Sequence, residues 1–246
     1  MLDPFDQKKQ LILKEIGDDT SVTKDLSPKG SIDEPCIPII NLINAHPNMV
    51  TTSSCSGRVS VFIEGIKDRE KIGSKGNQGH WIYVNHHPDI ENWYKTIDYK
   101  INTQSTPTNE LTRYILYKFE PLILHVKCRD LDSANELYKV AMSCGFRESG
   151  IGTNNIVAIR ISIKLDIPIG YYDEEVVFNV DETYLDFVTK LAKDRFTENF
   201  RKLDQLYDAI KVMGVVEKKV VETKEERRER KIREGLAKQA LKKSQE

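Results

Sequence analysis

The chain has 246 residues, 39% of them apolar and 30% charged, with a formal net charge of -1. This is the balance of a soluble globular protein with one large domain or two small ones, without bulk attraction to nucleic acid. No apolar run approaches the roughly 20 residues that a membrane helix needs. The charge is unevenly placed: Glu217 to Glu246 holds 11 Lys+Arg against 7 Asp+Glu, and the remainder holds 26 against 31, so a basic tail follows an acidic body. Cys36, Cys55, Cys128 and Cys144 form no C-x-x-C pair and no zinc-type spacing. With no basic-then-apolar leader early in the chain, a reducing, cytoplasmic setting is expected.

In chain order, Phe5 to Ile16 reads as a helix, with Pro4 at its start and Gly17 past its end. Residues 18–35 are a polar loop. Residues 37–46 read as a short apolar helix stopped by Pro47-Asn48. Two strands are predicted next, Met49–Ser54 and Val59–Glu64, joined by a turn at "SSCSG" in which Gly57 takes a positive φ. A charged loop (67–79), a strand (80–86), helix-like spacing (90–101) and a polar loop (102–110) follow.

The second half echoes the first. "LYKF" and "LILHVKC" read as strands separated by Glu120-Pro121. "DLDSANELYKVAMSCG" reads as a helix capped by Asp130 or Asp132 and closed by Gly145. "FRESGIG" and the alternating "NIVAIRISIKLDIPI" read as strands. A long amphipathic helix spans about 182–213. The predicted fold is α+β, two strand-rich halves with flanking helices. Residues 1–214 form the folded domain and 215–246 a charged tail, helical or disordered.

Certain chemistries are excluded directly. No G-x-G-x-x-G follows a strand and no phosphate-binding P-loop is present, so a Rossmann nucleotide site is not expected. A metal site among His46, His80, His86, His87 and His125 would need a convergent third ligand that the pattern does not declare, so no metal is expected. Cys55 could act as a nucleophile only with a base in reach and a lowered pKa. The simpler expectation is a small residue that fits its turn. Arg58, beside serine hydroxyls and turn amides, suits a carboxylate or phosphate, which a guanidinium grips by two bonds. Trp81, Trp93 and the tyrosines offer stacking faces. Arg147, Glu148, Ser149 and Arg160 add polar groups near strand ends.

Four blocks, "TTSSCSGR" (51–58), "WIYVNH" (81–86), 119–151 and "VAIRISIKLDIPI" (157–169), occur in the order and spacing of one family. They resemble the tRNA wybutosine-synthesising protein 3 family over roughly residues 1–210. The resemblance implies a barrel-like mixed sheet of non-Rossmann type. It implies methyl transfer from S-adenosyl-L-methionine to N4 of 7-(3-amino-3-carboxypropyl)-4-demethylwyosine, beside the anticodon of tRNA-Phe. By the same resemblance Ser53, Ser54, Cys55, Gly57 and Arg58 would hold the donor, Trp81 and Arg160 the substrate, and His86 or His125 would take the proton. His87 stands where the family often has an acid. Two rival readings differ in kind: a non-catalytic protein that only holds the anticodon loop, and a thiol hydrolase built on Cys55.

Overall fold

A computed structural model describes residues 3–18, 32–66, 78–104 and 112–213, together with Arg228. The predicted turn at 53–57 does not form. One strand, β1, runs without interruption from Met49 to Ile63, and a second, β4, from Arg113 to Cys128. They pair antiparallel over nearly their full lengths, with Gly57 opposite Pro121. The residues that read as turn and separator are instead paired strand residues, and they mark the corner of the sheet, the point at which the buried face of β4 switches sides. Gly57 supplies a positive φ (107°) there, and Pro121 supplies a rung that needs no N–H.

The mixed sheet has the order β2-β1-β4-β7-β8-β3, where β2 is His80–Asn85, β3 Lys100–Ile101, β7 Leu165–Asp173 and β8 Glu175–Phe178. Among the described residues only β3 and β8 pair in parallel. The predicted 155–169 strand divides into β6 (Ile156–Arg160) and β7. β6 pairs with β4 beyond Pro121 and β7 pairs with β4 before it, so the chain between them must cross the corner. Only Gly150–Ile151 of the predicted 146–152 strand pairs, as β5 against β6. The helix-like spacing at 90–101 yields a single 3-10 turn, Trp93–Thr96, before β3.

The helices match expectation more closely. α1 is Pro4–Asp18, its first turn held by Phe5 N–H donating to Asp3 Oδ1 at 2.8 Å. α2 is Ile37–Ala45 and buries Ile39, Ile40 and Ile43. α3 is Leu131–Ser143, capped by Asp130, whose side chain accepts from Ser133 N–H at 2.7 Å. Gly145, with φ 91°, closes it. α4 is Glu182–Lys211. Most of the predicted loops at 18–35, 67–79 and 102–110, and all of the predicted tail at 215–246 except Arg228, lie outside the described residues.

The buried positions of β4 change parity at the corner. Ile115, Tyr117 and Phe119 are buried before it, and Leu122, Leu124, Val126 and Cys128 after it. The first set joins Trp93, Tyr94, Phe178 and the α4 residues Leu185, Val188, Ala192 and Phe196 in one aromatic core. Beyond the corner, α3 packs on β4 and β6. The corner is stitched to α4 by Asn199, which is fully buried. Its Nδ2 donates to Ser56 O at 2.7 Å and its Oδ1 accepts from Leu122 N–H at 2.7 Å. Ser56 and Leu122 are the residues that face each other across the missing rung. A buried backbone group left unpaired costs about 1–3 kcal/mol, so one side chain here satisfies both ends of a broken ladder.

Candidate functional site

Antiparallel partners share a face of a sheet, and so do residues two apart on a strand. Ser53 pairs with His125 and Cys55 with Ile123. His125 pairs with Ala158 and Ile123 with Arg160. These six therefore lie on one face of three adjacent strands. All six are exposed or half-buried, whereas Leu122, Leu124, Val126, Val157 and Ile159 on the other face are buried. Ser54 pairs with Leu124 and so alternates away from Ser53 and Cys55. A bulge at Thr52 precedes this run, and its hydroxyl donates to His125 O at 3.1 Å.

Arg160 Nη2 stands 3.4 Å from His125 Nε2. Burial lowers the His125 pKa below its ordinary value, and the neighbouring Arg160 charge lowers it further. The ring is therefore neutral at neutral pH, the form that accepts a proton.

Around the corner the same strand presents Arg58. Its Nε donates to Glu120 Oε2 at 2.7 Å, and its guanidinium lies 5.3 Å from the Trp81 ring centroid. Trp81 in turn meets Phe62 edge-on at 5.9 Å. The Arg58 side chain is 17% exposed and that of Glu120 46%, so the cation sits in a half-buried slot between an aromatic face and a carboxylate.

Cys55 and His86 also meet. Val59 pairs with Asn85, the last residue of β2, and His86 follows it. One ligating atom each from Asp33, Cys55 and His86 lie within 4.8 Å of one another. Asp33 is buried, and its Oδ2 accepts from Ser56 N–H at 2.7 Å.

The structure thus gathers the predicted site residues into three neighbouring groups along β1: Ser53 with His125 and Arg160, Cys55 with His86, and Arg58 with Trp81. Gly57 has a different use from the ligand approach expected of it. A Cβ there would stand 3.0 Å from Asn199 Nδ2 and 3.2 Å from Glu120 O, so the close approach it permits is that of α4. Trp93 is core, with Nε1 donating to Thr189 Oγ1 at 2.9 Å. Lys9 donates to His46 O, His80 bonds to Gln78 O, and His87 donates its N–H to Asn85.

Sequence patterning does not single out Asp33, which falls in a loop, or Glu120, which reads as a separator. Asn199 does carry a signal: it interrupts the apolar stripe Leu185, Val188, Ala192, Phe196, Leu203 and Leu206 at a position where an apolar residue belongs.

The donor expected at this face presents a carboxylate, an ammonium, ribose hydroxyls and an aromatic base. A half-buried guanidinium, an indole face and the exposed Ser53 hydroxyl are chemically matched to such a group.

Residues 7–212 match the family described as Methyltransferase TYW3. The chain is 51% identical to tRNA wybutosine-synthesizing protein 3 of Saccharomyces cerevisiae, covering 98% of this chain and 96% of that protein. It is 41% identical to the protein of that name in Schizosaccharomyces pombe, over 84% of this chain and 86% of the relative. Among solved structures it resembles the PH1069 protein of Pyrococcus horikoshii OT3 with a TM-score of 0.65 and 26% identity, covering 86% of this chain and 96% of the other.

Proposed function

The chain belongs to the TYW3 methyltransferase family, and from that premise we propose that it methylates N4 of 7-(3-amino-3-carboxypropyl)-4-demethylwyosine, beside the anticodon of tRNA-Phe, with S-adenosyl-L-methionine as donor. The observation that carries this reading is the half-exposed polar face on β1, β4 and β6, which runs into the Arg58–Trp81 slot at the corner.

The donor supplies an electrophilic methyl group on a sulfonium. The work left to the protein is positioning and proton removal, and positioning alone is worth up to about 7–11 kcal/mol. Arg58 holds a carboxylate, its plane fixed by Glu120 and Trp81. Ser53 and Cys55 line the cradle, while Ser54 and Gly57 shape the strand beneath it. Trp81 offers its ring to an aromatic base. Arg160 takes the carboxylate or a phosphate of the substrate, next to His125. Of the two candidate bases, His125 is the better placed, because burial and Arg160 keep it neutral. As the ring nitrogen takes the methyl group it loses its proton, and the neutral His125 ring receives it.

Calorimetry with S-adenosylmethionine tests this reading against a protein that merely holds tRNA. Saturable binding, weakened in Arg58→Ala, is the expected result. An absence of binding to folded protein removes the methyltransferase reading and leaves the tRNA-holding one.

A further inference from the structure

Asp33, Cys55 and His86 come from three separate segments: the approach to α2, the corner of β1, and the end of β2. Their ligating atoms stand in a triangle, every pair within 4.8 Å. A proton relay from carboxylate through imidazole to thiol has a different shape. Its end groups sit on opposite nitrogens of the ring, so the carboxylate and the sulfur lie farther apart than either lies from the ring. A triangle about a common centre is the arrangement of ligands around an ion. We propose that Asp33, Cys55 and His86 form a zinc-class metal site with three protein ligands and one open position.

The donor set fits. Thiolate, imidazole and carboxylate together suit a borderline-soft divalent cation that accepts tetrahedral geometry, and three protein ligands with a vacancy is the pattern of open zinc sites. The outer shell fits too: the Ser56 N–H bonds Asp33 Oδ2 at 2.7 Å, and ligating carboxylates are commonly held by such a donor. Asp33 is buried, while Cys55 and His86 are half-exposed, so the group sits at the edge of the interior and solvent reaches it through the cysteine and the histidine. An oxygen or nitrogen of a bound ligand, or water, would complete the shell there. His86 is then a ligand, which is consistent with His125 being the base.

The test needs neither tRNA nor methyl donor, so it stands or falls apart from the proposed reaction. Full-length protein is stripped with a chelator and titrated with zinc chloride against a chromophoric competitor, and with cobalt(II) chloride by absorbance. The expected result is one zinc per chain, a thiolate-to-cobalt charge-transfer band, and a thermal midpoint that rises with zinc. Cys55→Ala loses the band, and His86→Ala loses stoichiometric binding. His125→Ala, on the same face but outside the triangle, keeps both. Failure of the wild-type chain to bind zinc stoichiometrically overturns the proposal, as does retention of binding in folded His86→Ala. If Cys55→Ala does not fold, His86→Ala, altered at a half-exposed position, decides alone.

Discussion

The same two strands serve two purposes on either side of one corner. Before Pro121, β4 and its neighbours carry Tyr117, Phe119, Val59 and Val61 into an aromatic core under α4. Beyond it they present Ser53, Cys55, His125 and Arg160 on an open face. The backbone is strand in both places. What differs is the cover: a long helix lies on one part and demands apolar side chains, while the polar face stays exposed or half-buried. A single residue, Asn199, ties the two together, because it belongs to the covering helix and bonds the backbone at the corner.

Substitutions can break that division, and the largest effect belongs to the core. Trp93, fully buried among Tyr83, Tyr94, Tyr117 and Phe178, should cost about 3–5 kcal/mol of stability when changed to Ala, read by urea unfolding. A cost below about 1 kcal/mol would mean that the cluster is not the stabilising centre.

Asn199→Ala comes next. It strands Ser56 O and Leu122 N–H, and should cost about 2–4 kcal/mol. Because the corner carries the cradle, kcat/KM should fall as well in whatever remains folded. A variant that loses stability but keeps wild-type kcat/KM would show that core and face are independent.

Arg58→Ala should invert the pattern. Its half-exposed pair with Glu120 contributes about 0–1 kcal/mol to stability. Loss of a charge-assisted bond to the ligand should lower kcat/KM by about ten- to 150-fold, equivalent to about 1.5–3 kcal/mol. Arg58→Lys should rescue poorly, since an ammonium lacks the planar fork. Near-normal kcat/KM for Arg58→Ala would rule out the cradle.

The effect of pH should be smaller. The folded His125 pKa lies below the ordinary 6.5, so the unfolded chain binds more protons in the window between the two values. Stability from this group therefore declines as pH falls through 6.5 and levels off once the folded ring titrates. The acid limb of kcat/KM should likewise lie below 6.5, and Arg160→Gln should move it upward by removing one of the two causes, leaving burial. An acid limb at or above 6.5 in the wild-type protein would rule out His125 as the base.

The smallest effect concerns the tail, residues 217–246, whose basic excess contrasts with the acidic body. Its deletion should raise KM for tRNA, leave kcat unchanged and flatten the log–log salt dependence by roughly 0.7–0.9 for each phosphate that the tail neutralises. Identical salt slopes with and without the tail would make it a bystander.

The helices were legible because their signals are local. Pro4, Asp130 and Gly145 mark ends, and the 3.6-residue stripe of α4 marks a buried face. The corner was not, because Gly57 and Glu120-Pro121 are turn residues by composition and become strand residues only when they face each other. Nothing near position 57 in the sequence announces Pro121. The candidate site was legible as residue types, and Ser53, Cys55, Arg58, Trp81, His86, His125 and Arg160 do fall into neighbouring groups, whereas Ser54 and Gly57 do not join them. Their grouping was not legible: which histidine meets the cysteine depends on the β1–β2 register, and Asp33 joins from a segment distant in sequence that bonds Ser56.

The most direct measurement gives the purified full-length chain tRNA from a strain that lacks this enzyme, together with S-adenosylmethionine, and reads the mass of the nucleoside beside the anticodon. The predicted result is a gain of one methyl group on that nucleoside, slowed in Arg58→Ala and abolished in His125→Ala. An unchanged nucleoside mass with folded wild-type protein would contradict the methyltransferase reading.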